Sequence, residues 1–297
     1  MDNKEKEKWL EAGRIGKLAR EYGLSLAKPG ANLLQIAKGI EHKIEELHAK
    51  PAFPPNLSLN YIAAHYTPKF NDQTVLREGD ILKIDVGASV DGFLSDTAAT
   101  TVVGEPDNDL IKAAREALEE ALKVAAPGVR INEISRVIEK KIRSYGLSPI
   151  VNLGGHEIKR YGIHEGEFIP NSPTNSSKTL IREGAIAIEP FATNGGGYVI
   201  DGADVQILML DNMKAAVRSK LGRSMMEFIS SQYNRLPFAK RWIIEKFGNL
   251  AELELKSLVL AGALYEFNIL KEKDNGLVSQ FEHTLLFDKG EVTITTK

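Results

Sequence analysis

The chain has 297 residues, no cysteine, and 38 basic against 40 acidic side chains, with a formal net charge of −2. A hydrophobic content of 43% and a charged content of 26% are typical of a folded globular protein of one or two domains and exclude a disordered chain. The lack of cysteine excludes disulfides and thiolate metal sites, and the near-neutral charge argues against a nucleic-acid partner. No secretory signal or long apolar run is visible, so we expect a cytoplasmic protein with no membrane partner.

The first helix pattern recurs in the second half of the chain. In Ala27–Ile44 and again in Ala125–Ile142, a Pro-Gly turn precedes isoleucines spaced four residues apart, as in an amphipathic helix. Later in each half, the matching tripeptides Arg77–Gly79 and Arg182–Gly184 precede an apolar run that ends in an acidic residue. We interpret these two repeated patterns as a duplicated helix-then-strand unit, which predicts an α+β fold with an internal pseudo-twofold axis.

Two aspartates lie in the strand region of the first half. Segments Leu82–Gly87 and Phe93–Thr97 flank Asp91-Gly92, which predicts a β-hairpin with a two-residue loop. Such a loop places Asp85 and Asp96 on one face, either directly opposite each other or one diagonal step apart. Two carboxylates at such a short distance repel each other unless one is protonated or a cation lies between them. On its own, the pair fits either a metal site or two acids at a hairpin mouth.

Matching polar side chains occur in the predicted strands of the second half. His156 follows two glycines, which allow a close approach of the backbone to a ligand. Strand alternation in Ala185–Pro190 places Glu189 on the same face as two alanines, and Glu282 is a lone acid among the apolar residues of Gln280–Phe287. Because burial of an unpartnered carboxylate is costly, these acids require a compensating group.

The charge of the combined set indicates what that group is. Two aspartates and two glutamates carry four negative charges, which two divalent cations balance and one does not. Oxygen ligands with a single imidazole suit Mn²⁺, Fe²⁺, Co²⁺ or Zn²⁺, and two such ions support hydrolysis by an activated water. His65 and His164 occupy similar places in the two halves, so they either face each other across the pseudo-twofold axis or lie in surface loops.

The two halves differ after Glu189. The strand pattern ends near Val205, helical spacing follows, and strand-like sequence returns at Leu277. We therefore predict a helical insertion at residues 206–267 within a discontinuous catalytic domain formed by residues 1–205 and 268–297. From Asp211 to Lys256 there are nine Lys or Arg residues against five acids, which fits either a ribosome contact or an ordinary solvated helical surface.

Taken in order, these motifs resemble the methionine aminopeptidases of the type 2 class, in the short form without an N-terminal extension. The resemblance covers essentially the whole chain and rests on six segments: Ala63–Pro68, Asp85 with Asp96, Gly155-His156, Ile163-His164, Ala187–Glu189 and Gln280–Thr284. It implies the pita-bread (creatinase/aminopeptidase) fold, with two pseudo-symmetric halves around a dinuclear metal site. The helical insertion is the feature that distinguishes type 2.

The resemblance also implies residue roles. The five metal ligands would be Asp85, Asp96, His156, Glu189 and Glu282, holding two divalent ions whose identity (Co, Mn, Fe or Zn) stays open. Glu189 would also accept the proton of the attacking water, while His65 and His164 would contact the substrate backbone and the oxyanion. The methionine pocket would comprise Phe53, Ile163 and Phe267.

The activity implied is removal of the N-terminal methionine from newly synthesised proteins when the second residue is small. The partners would be nascent polypeptide N-termini, and the protein would be a monomer. Two other functions remain as alternatives: an Xaa-Pro peptidase on the same fold and a non-catalytic binding relative. The long separation between Glu189 and Glu282 argues against the first alternative, and the presence of all five ligand positions argues against the second.

Overall fold

A computed structural model describes residues 1–297. The helices are α1 (Asn3–Leu26), α2 (Leu33–Glu46), α3 (Asp109–Val124), α4 (Ile131–Ser144), α5 (Lys220–Tyr233), α6 (Lys240–Phe247) and α7 (Leu250–Leu260). The first strands are β1 (Lys50–Pro51), β2 (Asn56–Leu59), β3 (Ile62–Ala64), β4 (Ile81–Val86), β5 (Ala88–Val90), β6 (Phe93–Leu94), β7 (Thr97–Val102), β8 (Ser148–Pro149) and β9 (Gly154–Lys159). The remaining strands are β10 (Gly162–Pro170), β11 (Gly184–Ile188), β12 (Phe191–Thr193), β13 (Val199–Leu210), β14 (Phe238–Ala239), β15 (Leu264–Glu272), β16 (Val278–Gln280), β17 (His283–Asp288) and β18 (Glu291–Ile294). None of the helices combines the length and apolar character needed to cross a membrane.

Each half of the molecule pairs two helices with antiparallel strands. In the first half, α1 and α2 pack beside the sheet β2-β4-β7, and Ile40 and Ile84 share one apolar core. In the second half, α3 and α4 pack beside the sheet β10-β9-β11-β17-β18, and Ile138 and Ile186 share another core. The isoleucine stripes of α2 and α4 thus bury equivalent faces, because residues four apart lie on the same side of a helix.

The predicted hairpin in the first half is confirmed. Strands β5 and β6 pair around Asp91 and Gly92, whose φ angles of 51° and 86° fit the tight turn of a two-residue loop. The same register continues into β4 and β7, where Asp85 lies opposite Ala98. Asp96 precedes β7 by one residue, so the two aspartates are diagonal neighbours and not a directly opposed pair.

The predicted limits of the strands around the insertion were wrong. Strand β13 continues to Leu210 and strand β15 begins at Leu264, where these two residues pair with each other. The apolar run at the end of β13 shows no alternation, and periodicity alone does not distinguish such a run from a helix. Helices α5, α6 and α7 lie between the two strands and pack around their own apolar core, which includes Met225 and Leu255.

The two halves meet through strands β7 and β17. The Glu282 amide donates to the Ala98 carbonyl at 3.0 Å. The Thr284 hydroxyl donates to the Asp96 carbonyl at 2.7 Å and accepts from the Asp96 amide at 2.8 Å. Because an acidic residue lies at each end of this junction, the join between the halves also brings their carboxylates together.

Candidate metal centre

Three buried side chains from different parts of the sheet system form the centre of the site. Asp96, His156 and Glu282 each place one potential ligand atom within 4.8 Å of the others. Asp96 follows β6, His156 lies in β9, and Glu282 lies between β16 and β17. The cluster therefore depends on the packing of both halves and not on a local sequence motif.

Asp85 and Glu189 complete the group. The imidazole Nε2 of His156 lies 3.5 Å from Asp96 Oδ2 and 3.7 Å from Glu189 Oε1. The buried Gln280 amide donates from Nε2 to Glu189 Oε2 at 3.1 Å and lies 3.5 Å from Asp85 Oδ2. The structure thus brings all five sequence-predicted ligand positions to one point.

The glycines before His156 allow its strand to lie close to both neighbouring strands. A Cβ atom added at Gly154 would lie 2.2 Å from the Ile169 carbonyl oxygen, and one added at Gly155 would lie 2.1 Å from the Ala187 carbonyl oxygen. These contacts are with the neighbouring strands β10 and β11. The glycines therefore permit close strand packing, which fixes the position of His156; Gly154 also lines the cavity, and its close approach to a ligand stays a prediction.

The electrostatics of the group favour a compensating cation. Burial, followed by the charge of Asp96, raises the pKa of Asp85 and of Glu282 well above the usual values, and the same two causes raise the pKa of Glu189. Asp85 Oδ1 and both carboxylate oxygens of Glu282 are buried and accept no hydrogen bond. Such atoms are rare in folded proteins and are costly unless they are compensated. Their placement beside His156 fits a site for divalent metal.

His65 and His164 lie on opposite sides of the cavity next to the ligand group. Their ring centroids are 6.3 Å apart, and the His164 ring is 4.6 Å from the His156 ring. His65 Nδ1 lies 3.2 Å from the Asn268 carbonyl oxygen. Since a carbonyl only accepts, Nδ1 carries the proton in this contact, and Nε2 remains available for the substrate.

Both cavity histidines are neutral near neutral pH. Burial lowers the pKa of His65. Burial, followed by the charges of His156 and His65, lowers the pKa of His164 well below its usual value. The His164 side chain nevertheless remains exposed to the cavity.

The cavity beside the ligands has a volume of about 420 Å³. Phe53 and Ile163 are buried in its wall, and the Phe267 ring lies 5.5 Å from His65 and 6.2 Å from His164. The sequence-predicted pocket residues therefore all line one cavity, together with the ligands.

Several lining residues were missed by the sequence analysis. Ile207 and Pro237 come from the region around the helical segment, and no local pattern marked them as part of the site. Gln280 was part of the motif around Glu282 but was given no role, although its position next to a lone acid in a strand was a usable signal.

Comparison with known proteins identifies the family. The model of metallopeptidase family M24 matches residues 7–220. The chain belongs to metallopeptidase family M24. This M24 chain is 50% identical over 294 residues to the methionine aminopeptidase of Pyrococcus abyssi, covering 98% of this chain and 99% of that protein. It is 43% identical over 297 residues to the methionine aminopeptidase of Archaeoglobus fulgidus, covering 100% of both chains. These relatives place it among the methionine aminopeptidases.

Solved structures confirm the predicted fold of this M24 chain. It superposes on a methionine aminopeptidase from Thermotoga maritima with a TM-score of 0.72 at 24% identity, covering 100% of this chain and 98% of that one. A structure described as a thermophilic Arx1 gives a TM-score of 0.88 at 19% identity, covering 99% and 91% of the two chains. A prolidase from Pyrococcus furiosus gives 0.62 at 17% identity, covering 100% and 64%. At these identities the likeness shows the fold alone, which is the pita-bread arrangement of two halves.

Proposed function

We propose that this M24 chain is a methionine aminopeptidase of the type 2 class, in its short form, which removes the initiator methionine when the second residue is small. Curated methionine aminopeptidases that are up to 50% identical over nearly the whole chain support the activity. The helices between Glu189 and Glu282 support the type 2 assignment, since this segment is the feature expected to distinguish that class. We further propose that residues 206–267 are an insertion into a discontinuous catalytic domain of residues 1–205 and 268–297.

We propose that two divalent ions are held by the carboxylates and the imidazole of the site. The single observation that carries the proposal is the buried Glu282 carboxylate, which lies against the other ligands and has no hydrogen-bond donor for either oxygen. Four carboxylates and one imidazole suit Mn²⁺, Fe²⁺, Co²⁺ or Zn²⁺. When bound, such ions polarise a substrate carbonyl and lower the pKa of a water molecule.

Glu189 is proposed as the proton acceptor for the attacking water. Its Oε2 already accepts from Gln280, so Oε1 is the atom free to receive the proton. The Glu189 side chain lines the cavity, together with His156 and Asp96. A general base must lie within hydrogen-bond distance of the proton it removes, and a position at the boundary of ligands and cavity satisfies this requirement.

The two cavity histidines are proposed to bind the substrate backbone. The neutral His65 ring, protonated on Nδ1, presents Nε2 as an acceptor for a substrate N–H. His164, on the opposite wall, is placed to donate to the carbonyl oxygen as negative charge develops on it. A hydrogen bond that strengthens as this charge develops accelerates the reaction. A hydrogen bond that is equally strong in the bound substrate and in the transition state does not.

Phe53, Ile163 and Phe267 are proposed to form the methionine pocket. All three line the cavity that also contains the ligands, and an apolar wall with few polar groups is typical of a pocket for an unbranched apolar side chain. Discrimination at the second residue would be steric and not polar.

The proposed partners are nascent polypeptide N-termini in the cytoplasm, and the enzyme is proposed to be a monomer. The basic surplus around the helical segment is the observation that favours an additional ribosome contact, although Arg241 is buried and does not contribute to it. Neutralising Arg218, Lys220 and Arg223 tests this idea, since ribosome cosedimentation would fall if the contact exists. Unchanged cosedimentation would remove the ribosome proposal without affecting the enzymatic one.

The activity is tested with the peptides Met-Ala-Ser and Met-Leu-Ser, each with and without a chelator. We expect methionine release from Met-Ala-Ser, little release from Met-Leu-Ser, and loss of both after chelation. Preferential cleavage of peptides with proline in the second position would favour the Xaa-Pro peptidase. No turnover with any divalent metal would favour a non-catalytic binding protein.

A further inference from the structure

The segment that carries His65 is held in an unusual conformation. Residues 65–74 form neither helix nor strand, and His65 itself has a φ angle of 62°. A residue with a side chain rarely adopts this left-handed conformation, and it persists only where the surrounding structure imposes it. The orientation of the His65 ring therefore depends on the contacts that hold this segment.

One buried side chain from the helical region supplies such contacts. Arg241, in the first turn of α6, is 1% exposed. Its Nη1 donates to the Thr67 hydroxyl at 2.9 Å and to the Pro68 carbonyl at 3.2 Å. Its Nη2 is paired with Glu41 of α2. Arg241 therefore joins three parts of the molecule: the insertion, the first half, and the residues directly after His65.

Two further hydrogen bonds involve Glu41 and the His65 ring. The Trp242 indole also donates to the Glu41 carboxylate at 3.0 Å, in addition to the pairing of Glu41 with Arg241. On the opposite side of the segment, the Asn268 carbonyl of β15 accepts from the His65 ring. The imidazole is thus held both by its own hydrogen bond and by the anchoring of Thr67 and Pro68, two and three residues further along the chain.

Stability alone does not explain a guanidinium at this position. A buried ion pair contributes little net stability compared with well-packed apolar side chains, because both ions lose their hydration. The Nε donor of Arg241 moreover has no hydrogen-bond partner. What the guanidinium provides is geometry, since its rigid fork reaches a carboxylate with one nitrogen and the His65 segment with another.

We propose that Arg241, oriented by Glu41, is a positioning residue that holds Thr67 and Pro68 and thereby sets the His65 ring in the cavity. The inference rests on the proposed function, in which His65 binds the substrate backbone. It assigns to the insertion a part in the active site although the insertion supplies no metal ligand. Arg241 touches neither the substrate nor the ligands, so its effect on the reaction passes through His65.

The substitution Thr67→Val gives the sharpest test, because it removes one of the two acceptors that the His65 segment offers to Arg241 and leaves the Arg241–Glu41 pair in place. We expect kcat/KM for Met-Ala-Ser to fall about tenfold to 100-fold, as displacement of a catalytic group by a fraction of an ångström can cost this much. The affinity for Mn²⁺, measured by calorimetry, should not change. Arg241→Gln should show at least the same loss, and Arg241→Lys should recover only part of it.

Trp242→Phe is the matched control. It removes a hydrogen bond to Glu41 but leaves both contacts of Arg241 with the His65 segment, so kcat/KM should stay near that of the wild type. An equal loss in Trp242→Phe would show that general damage to the α6 region explains the effect, and the positioning role would be refuted.

Ring resonances of the histidines give a readout that does not depend on turnover. The chain has six histidines, so the His65 Cε1–Hε1 signal can be assigned by its absence in His65→Asn. We expect this signal to shift in Thr67→Val and to stay in place in Trp242→Phe. An unchanged His65 signal in folded Thr67→Val would overturn the inference. Failure of the wild type to cleave Met-Ala-Ser would instead count against the proposed function, because the resonance test stands without activity.

Discussion

At the level of single residues, the defining property of the site is an excess of buried negative charge. The pKa values of Asp85, Glu189 and Glu282 are raised first by burial and then by neighbouring carboxylates. When the pKa of an acid is raised by folding, the folded state binds more protons than the unfolded state above the unfolded pKa. The free energy of unfolding of the metal-free protein must then fall as the pH rises.

This linkage predicts a pH-dependent stability that metal abolishes. We expect the melting temperature of the metal-free protein to decrease from about pH 5 towards neutral pH, because folding then requires these carboxylates to keep protons that the unfolded chain has lost. Added Mn²⁺ should raise it most at neutral pH, since an ion that binds only the folded state stabilises it by mass action. Thermal unfolding followed by circular dichroism checks both effects. A melting temperature that rises towards pH 7 without metal would contradict the account.

Glu189 is predicted to matter more for turnover than for metal binding. Glu189→Gln should reduce kcat for Met-Ala-Ser by about 100-fold or more, because the amide cannot accept the proton of the attacking water. Glu165 also lines the cavity but is not among the ligands, so Glu165→Gln is the matched control and should remain active. Similar kinetics for the two variants would show that the role assigned to Glu189 is wrong.

Gln280 is predicted to orient two of the ligands. Its amide donates to Glu189 and lies close to Asp85, so Gln280→Met should preserve the packing but release both carboxylates. Loss of such a supporting contact typically weakens metal affinity about tenfold to 100-fold. Calorimetric titration with Mn²⁺ measures the change, and wild-type affinity in Gln280→Met would exclude an orienting role.

At the level of secondary-structure elements, the site depends on the close packing of three strands. Gly155→Ala would push a Cβ into the Ala187 carbonyl of β11 and displace β9, which carries His156. We expect a destabilisation of about 2 kcal/mol or more, measured by urea unfolding, because the atoms that the added Cβ would meet belong to the backbone of β11 and cannot move aside as the end of a flexible side chain can.

Gly39→Ala provides the control for this change. Gly39 lies within α2, where the nearest atom to an added Cβ is the flexible end of the Leu26 side chain at 3.1 Å. Alanine should be neutral there or stabilise the helix by up to about 1 kcal/mol. Equal destabilisation by both substitutions would argue against strand packing as the cause.

The same elements show what local sequence could predict. The Asp91-Gly92 turn determined the hairpin and its register, and a diagonal placement of Asp85 and Asp96 was one of the two predicted arrangements. The ends of β13 and β15 were missed because apolar residues occupy both faces of these strands: Leu208, Leu210 and Leu264 pack in the core of the insertion, and Ile207 and Phe267 line the cavity. Alternation disappears from a strand that is covered in this way.

At the level of the whole molecule, both halves of the duplication carry acids in their apolar strand regions, and this common feature allowed the acids to be recognised as candidate ligands. An acid in an apolar strand is anomalous wherever it occurs, so Glu189 and Glu282 were visible in the sequence. The contributions of Ile207 and Pro237 were not visible, because they arise only when segments far apart in the chain are packed together. The anchoring of His65 by Arg241 belongs to the same class, since it joins the insertion to the first half.

The central claim is that these carboxylates share one cavity because two dications neutralise them. The most direct test is an anomalous difference map from crystals of the protein grown with Mn²⁺. We expect two peaks about 3.5–4 Å apart, the spacing typical of dinuclear hydrolases. Both should lie within bonding distance of Asp85, Asp96, His156, Glu189 and Glu282. A map without peaks in this cavity, or with these side chains turned away from each other, would contradict the account.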